Sequence, residues 1–227
     1  MEFLIAGDSG IVVEFGKIIS EEINAKVKAA YELAKSGALK GITGLTPTYR
    51  SLLVSYNPIE TSFDEIKAAF EKGLSVFSEA GGKNAASKLI HIPVCYGSEF
   101  GEDMPNVIAH TGLTEKEIIE IHSGREYLIY MLGFLPGFPY LGGMDKRLIT
   151  PRLKNPRTKI PAGSVGIGGE QTGIYPLASP GGWQLIGRTP LKVYDPNRAE
   201  PFMYASGDRI KFEPITRTEY DKLVTVN

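Results

Sequence analysis

Between Met131 and Pro190 one residue in three is glycine or proline: 20 of the chain's 41 lie within these 60 positions. Proline removes an amide donor and fixes φ, and glycine loses the most backbone freedom on ordering, so no helix of ordinary length forms there. Short apolar runs at Tyr127 to Phe134, Ser164 to Ile167, Trp183 to Ile186, Leu191 to Tyr194 and Arg209 to Phe212 stand between these breakers. That spacing predicts a compact β-barrel.

The first 85 residues follow another rule. Phe3 to Ala6 and Ile11 to Phe15 flank the turn Gly7-Asp8-Ser9-Gly10 and predict a hairpin. Behind Ser20, the residues Ile23, Val27, Ala30, Tyr31 and Ala34 recur at helical spacing up to Gly37. After Gly41-Ile42-Thr43-Gly44, Arg50 to Tyr56 reads as a strand. A capping box of Ser62 and Glu65 then opens a second stripe of Ile66, Ala69, Phe70, Leu74 and Phe77. With Leu89 to Tyr96 as a closing strand, the order predicts a ferredoxin-like α/β sandwich. Gly81-Gly82-Lys83-Asn84 resists regular structure, which places a boundary between a domain at 1–84 and a barrel at 85–227, α+β overall. Past it, Met104 to His110 and Thr114 to His122 read as short helices, the second with a Thr114 and Glu117 capping box.

Charge is balanced over the whole chain, 25 Lys and Arg against 26 Asp and Glu, so no overall field favours a nucleic acid or an anionic membrane. The balance is local. From Lys146 to Tyr194 eight bases meet one acid, Glu170, which leaves +7 there and −8 elsewhere. Arg147, Arg152, Lys154, Arg157 and Lys159 form either a solvated face or an anion site, for which arginine offers a planar fork. The N-terminus lacks a signal-peptide pattern, and the single cysteine, Cys95, fits a reducing compartment, so a cytoplasmic location is expected.

Several familiar sites are missing. No phosphate loop is present, and Gly166-Ile167-Gly168-Gly169 lacks the spacing of a dinucleotide fingerprint. Ala162-Gly163-Ser164-Val165-Gly166 resembles a nucleophile elbow but reads as strand and turn, since no helix pattern follows the serine. His91, His110 and His122 form no close pair, and no metal site is expected. What remains is Gly133-Phe134-Leu135-Pro136-Gly137-Phe138-Pro139-Tyr140-Leu141-Gly142-Gly143, which reads either as an aromatic surface loop or as a buried turn cluster. Gln171-Thr172-Gly173-Ile174-Tyr175-Pro176 and Ser179-Pro180-Gly181-Gly182-Trp183 add donors in tight turns, with Trp183 either a core residue or a stacking platform.

GFLPGFPYLGG followed by PRLKNPRTKIPAGSVGIGGEQTGIYPLASPGGWQLIGRTP closely resembles one family over nearly the whole chain. It is that of the 5-oxoprolinase B subunit, also named for allophanate hydrolase subunit 1 and for the Kip inhibitor of a sporulation histidine kinase. His91 to Gly97 and Leu113 to His122 agree with it as well. Leu153 departs where many relatives carry a second arginine, and Glu102 where they often carry proline. The resemblance implies an N-terminal α/β domain followed by a cyclophilin-like β-barrel. It also implies a hydrolase subunit, inactive alone, of an ATP-dependent 5-oxoprolinase that opens 5-oxo-L-proline to L-glutamate with subunits A and C, the ATP site being shared or on a partner. Within that reading, Arg152, Arg157 and Arg188 are expected to hold anionic groups and Gln171, Thr172 and Tyr175 to orient the lactam. Pro136, Gly137, Phe138, Tyr140, Pro180, Gly181, Gly182 and Trp183 are expected to form the groove or partner surface. Two other readings are a binding protein that inhibits a histidine kinase and, by fold analogy alone, a peptidyl-prolyl isomerase.

Overall fold

The hairpin at the N-terminus forms because Gly7, at φ +69°, turns the chain between two β-rich runs. In the computed structural model, which describes residues 1–37, 39–79 and 87–226 but not the side chains of 75–79 and 226, the chain divides into two compact units, residues 1–86 and 87–227. The expected linker at 81–84 lies outside the described residues.

In the first unit β1 (Glu2–Ile5) and β2 (Gly10–Glu14) pair antiparallel, then α1 (Glu21–Lys35), β3 (Ile42–Pro47), β4 (Ser51–Tyr56) and α2 (Phe63–Glu79) follow. Ser20 caps α1 by accepting from the Ile23 amide at 3.2 Å, and Gly37 sits just past its end at φ +80°. The Ser62 and Glu65 capping box forms in both directions. Ile11, Val13, Leu52 and Val54 alternate onto one face of the sheet and meet Val27, Ala30, Ile66 and Phe70 from the helices. The expected α2 residue Phe77 lies among the undescribed side chains.

The sheet order is β1-β2-β4-β3, antiparallel throughout. The ferredoxin-like expectation needed Leu89 to Tyr96 beside β2, and β1 occupies that edge. A hairpin neighbour joined by a four-residue turn closes at far less entropic cost than a strand arriving some eighty residues later.

That later strand, β5 (Leu89–Tyr96), begins the barrel. It is followed by α3 (Met104–Thr111), α4 (Glu115–Ser123), β6 (Glu126–Leu132), β7 (Pro139–Gly142), β8 (Arg157–Ile160), β9 (Ser164–Gly168), β10 (Gln171–Ile174), β11 (Ser179–Gly181), β12 (Gln184–Arg188), β13 (Arg209–Pro214) and α5 (Arg217–Val226). Seven strands close in the order β10-β7-β6-β13-β5-β12-β9, while β8 and β11 form a separate ribbon. All barrel pairs are antiparallel except β13 with β5, which run parallel from Arg209 opposite Leu89 to Pro214 opposite Val94. Ile92, Ile129, Val165, Ile167, Ile174, Ile210 and Phe212 fill the interior, with Met104 and Ile118 entering from α3 and α4.

Leu191 to Tyr194, expected as a strand, is not one; Tyr194 makes only an isolated bridge to Phe202. Pro190 and Pro196 flank the run, and its Val193 carbonyl accepts from the Met203 amide at 3.0 Å without a ladder forming. No described helix is long and apolar enough to cross a membrane.

Candidate active-site cleft

The loop Gly133 to Phe138 is two tight turns in succession. The Leu135 amide donates to the Gly133 carbonyl at 2.6 Å around Phe134, whose φ is +62°, which is a γ-turn of the positive-φ kind. The Phe138 amide then donates to the Leu135 carbonyl at 3.0 Å, with Pro136 and Gly137 (φ +79°) at the turn's centre, as a type II turn requires. These turns deliver Phe138 into a second apolar cluster with Ile160, Tyr175, Trp183 and Leu185, outside the barrel interior.

Phe138 is the hub of that cluster. Four rings meet it edge to face: Phe134 at 5.5 Å, Tyr140 at 5.2 Å, Tyr175 at 5.3 Å and Trp183 at 5.4 Å between centroids. Gly166, Gly168 and Gly173 make room for it. A Cβ on Gly168 would lie 2.5 Å from Trp183 Cδ1, and one on Gly173 would lie 3.2 Å from Trp183 Cζ3. Gly168→Ala is therefore expected to push the indole outward and cost about 1–3 kcal/mol of stability. Trp183 is the only tryptophan, so a red-shifted emission spectrum reports that displacement directly; unshifted emission would show that the ring does not depend on Gly168.

The outer edge of this cluster forms a cleft of about 250 Å³. Its apolar walls are Phe134, Phe138, Tyr140, Tyr175 and Trp183, and Pro156, Pro180, Gly181 and Gly182 complete it. Arg152 is the one charged residue lining it, its guanidinium 5.8 Å from the Trp183 ring centroid. Burial raises the Tyr175 hydroxyl pKa to about 12, opposed by a hydrogen bond from the Trp183 backbone and by the charges of Arg152 and Arg157. At neutral pH Tyr175 is thus a buried, neutral hydroxyl in the wall of a cleft whose one charged lining residue is the cation Arg152.

The expected groove residues separate at this point. Phe138, Tyr140, Pro180, Gly181, Gly182 and Trp183 line the cleft, and both readings of the aromatic segment hold at once, because a buried cluster presents one open edge. Pro136 is exposed and does not line it. Gly137 is buried, its carbonyl accepting from Tyr204 Oη at 2.9 Å.

The expected anion and lactam residues separate further. Successive strand residues face opposite sides, so Gln171, Thr172 and Tyr175 cannot all serve one site. Thr172 and Ile174 point into the barrel while Gly173 faces Phe138 and Trp183. Thr172 Oγ1 donates to the Gly166 carbonyl at 3.0 Å and meets His122 Nε2 at 2.8 Å, and Tyr96 Oη meets His122 Nδ1 at 2.7 Å. A threonine hydroxyl has one proton to give, so His122 is the neutral Nε2–H tautomer accepting from Tyr96. Gln171, half-buried at the start of β10, does not line the cleft.

Arg157 is held by acids of this same chain. Its Nε is 3.0 Å from Glu102 Oε1, and its Nη2 is 2.6 Å from Asp103 Oδ1. Burial works against its charge, yet the two carboxylates outweigh burial and raise its pKa. Arg188 lies elsewhere, its guanidinium 5.0 Å from the Phe100 ring, which also packs on Tyr220 of α5 and receives Arg217 at 4.9 Å. Of the three arginines singled out, the cleft contains only Arg152. Phe134 was not among the expected site residues. Its signal was a bulky residue amid glycines and prolines, legible only once its φ is known.

Residues 1–204 match the family model for the carboxyltransferase domain, subdomain C and D. The chain is 42% identical to the 5-oxoprolinase B subunit of Bacillus subtilis (strain 168), over 94% of this chain and 92% of that one. The chain belongs to the 5-oxoprolinase B-subunit family. Two solved chains of the same fold are longer. This one covers 40% of TTHA0988 (TM-score 0.80, 36% identity, 92% of this chain) and 15% of the urea amidolyase of K. lactis (TM-score 0.74, 21% identity, 99% of this chain). Membership in the B-subunit family makes the chain part of a hydrolase system, and the inhibitor of a histidine kinase gains no support from the names of these relatives.

Proposed function

We propose that this chain is the subunit of an ATP-dependent 5-oxoprolinase that opens 5-oxo-L-proline to L-glutamate, acting with subunits A and C, and that the Arg152 cleft is its share of a joint active site. The single observation that carries this reading is the cleft's composition, one arginine among aromatic and glycine walls, in a chain whose relative of 42% identity bears that name. A lactam carboxylate has a small, flat amide ring with apolar faces and one anion, which such walls and such a cation complement. The Arg152 guanidinium takes the carboxylate, and the Tyr175 hydroxyl donates to the lactam oxygen as negative charge builds there during water addition. A cleft of about 250 Å³ with one cation is too small and too weakly charged to hold a nucleoside triphosphate alone, so in this reading the ATP site is shared with a partner or lies on one. The barrel is in this reading the cyclophilin-like one, and the chain is inactive alone.

Arg152→Ala in the reconstituted three-subunit assembly is expected to lower kcat/KM for 5-oxoproline about a hundredfold, and Arg152→Lys about tenfold, because lysine keeps the charge and loses the fork. ADP release in the presence of 5-oxoproline is the readout. Turnover that does not need this chain would sink the function, and turnover untouched by Arg152→Ala would remove the cleft from it.

A further inference from the structure

Ten described glycines take positive φ, and only two other described residues do, Ser98 and Phe134. A side chain at positive φ is strained, and in a segment this rich in glycine the strain has a ready remedy that the sequence does not use. Packing does not account for the phenylalanine. The residue is 62% exposed, and its ring meets the aromatic cluster edge-on at Phe138. The γ-turn holds that exposed ring as a wall of the Arg152 cleft.

We infer that Phe134 is a specificity-determining residue that recognises the closed ring of the substrate. The inference rests on the cleft being the 5-oxoproline site. With the carboxylate on Arg152, the lactam ring lies among the aromatic walls, and the exposed face of Phe134 is the surface for it to stack on. The ring-opened product keeps the carboxylate but presents a flexible, charged chain in place of a flat amide ring, so it gains nothing from Phe134. The residue therefore favours substrate over product, and the strained turn keeps its ring at the mouth without a ligand to hold it there.

The test measures kcat, KM for 5-oxoproline and the inhibition constant of L-glutamate in the reconstituted assembly, for Phe134→Leu, Phe134→Tyr and Arg152→Ala. Phe134→Leu keeps apolar bulk and loses the ring face. It is expected to raise KM about tenfold with kcat within about twofold and the glutamate constant unmoved, while Phe134→Tyr behaves as the parent. Arg152→Ala is expected to weaken substrate and glutamate together. If Arg152→Ala raises KM and Phe134→Leu leaves it unchanged, Phe134 has no part in recognition although the cleft does. If neither substitution moves KM, the cleft is not the site and both readings fall. A glutamate constant that rises in step with KM in Phe134→Leu overturns ring selectivity. So does a variant that loses kcat and melting temperature together, which marks a structural role.

Discussion

Lowering the pH from 6.5 to 4 is expected to remove about 3 kcal/mol of stability through one side chain, His122. The imidazole is fully buried in the barrel, stacked on Phe212 at 4.6 Å, and burial lowers its pKa to about 3. An unfolded chain takes up a proton on this group near pH 6.5, and the folded one refuses it until far lower. The unfolded state thus binds more protons throughout that window, so stability is intact above pH 6.5 and falls as pH drops through it, by about 1.4 kcal/mol per unit at most. Asp145, held near pKa 2 by its hydrogen bonds and charge contact with Arg147 and by the charge of Arg125, loses its contribution as pH falls from the ordinary carboxylate range toward 2, and so does not overlap the upper part of this window. Urea midpoints at pH 7, 5.5 and 4.5 for the parent and for His122→Gln give the check. The variant carries an amide donor and acceptor but no titrating group, so its midpoint should be nearly flat across the same range. Equal slopes in the two proteins would assign the acid sensitivity to other groups.

Arg157→Ala is expected to cost about 3 kcal/mol of folding stability, near the low end for removing one partner of a buried ion pair. Asp103 is 3% exposed. Its Oδ1 receives Arg157 and its Oδ2 receives the Leu185 amide at 2.7 Å, so the carboxylate ties the start of α3 to β12. Without the guanidinium a buried anion keeps only neutral donors. Arg157→Lys retains a cation that cannot span Glu102 and Asp103 together and should lose about half as much. Thermal melts of the isolated chain, which need no partner, measure both. An unchanged melting temperature in Arg157→Ala, with lost turnover in the assembly, would return this residue to the anion-binding role expected from charge alone.

The difference between Arg152 and Arg157 shows how far the sequence reads. Capping at Ser20, Ser62 and Thr114, the helical stripes and the glycine-bounded strands are local signals, and the elements appear where those signals lie. The strand at Leu89 to Tyr96 was legible as a strand but not as a member of the barrel, because strand partners are chosen by closure entropy and packing over the whole chain. The cleft's walls were legible in the runs GFLPGFPYLGG and SPGGW, since aromatic residues among glycines and prolines must stand on turns. Its charges were not. The count of +7 across residues 146–194 leaves out Glu102 and Asp103, some fifty positions away, which fold onto Arg157. Strand alternation was the one unused clue: two-residue periodicity in β10 already separates Thr172 from Gly173 and Tyr175.

The parallel pairing of β13 with β5 joins the first strand of the barrel unit to its last, across 120 positions of sequence. While the chain is being synthesised, this seam stays open until Pro214 has cleared the ribosome, and the apolar interior stays exposed with it. The first unit has all its strands and helices by residue 79 and is free to fold long before. A nascent chain therefore passes through a stage with one finished domain and one unsealed barrel, during which a chaperone or a partner subunit meets hydrophobic surface that the mature protein never shows. Premature termination even a dozen residues before Pro214 would leave that surface permanently uncovered, whatever the quality of the cleft already encoded.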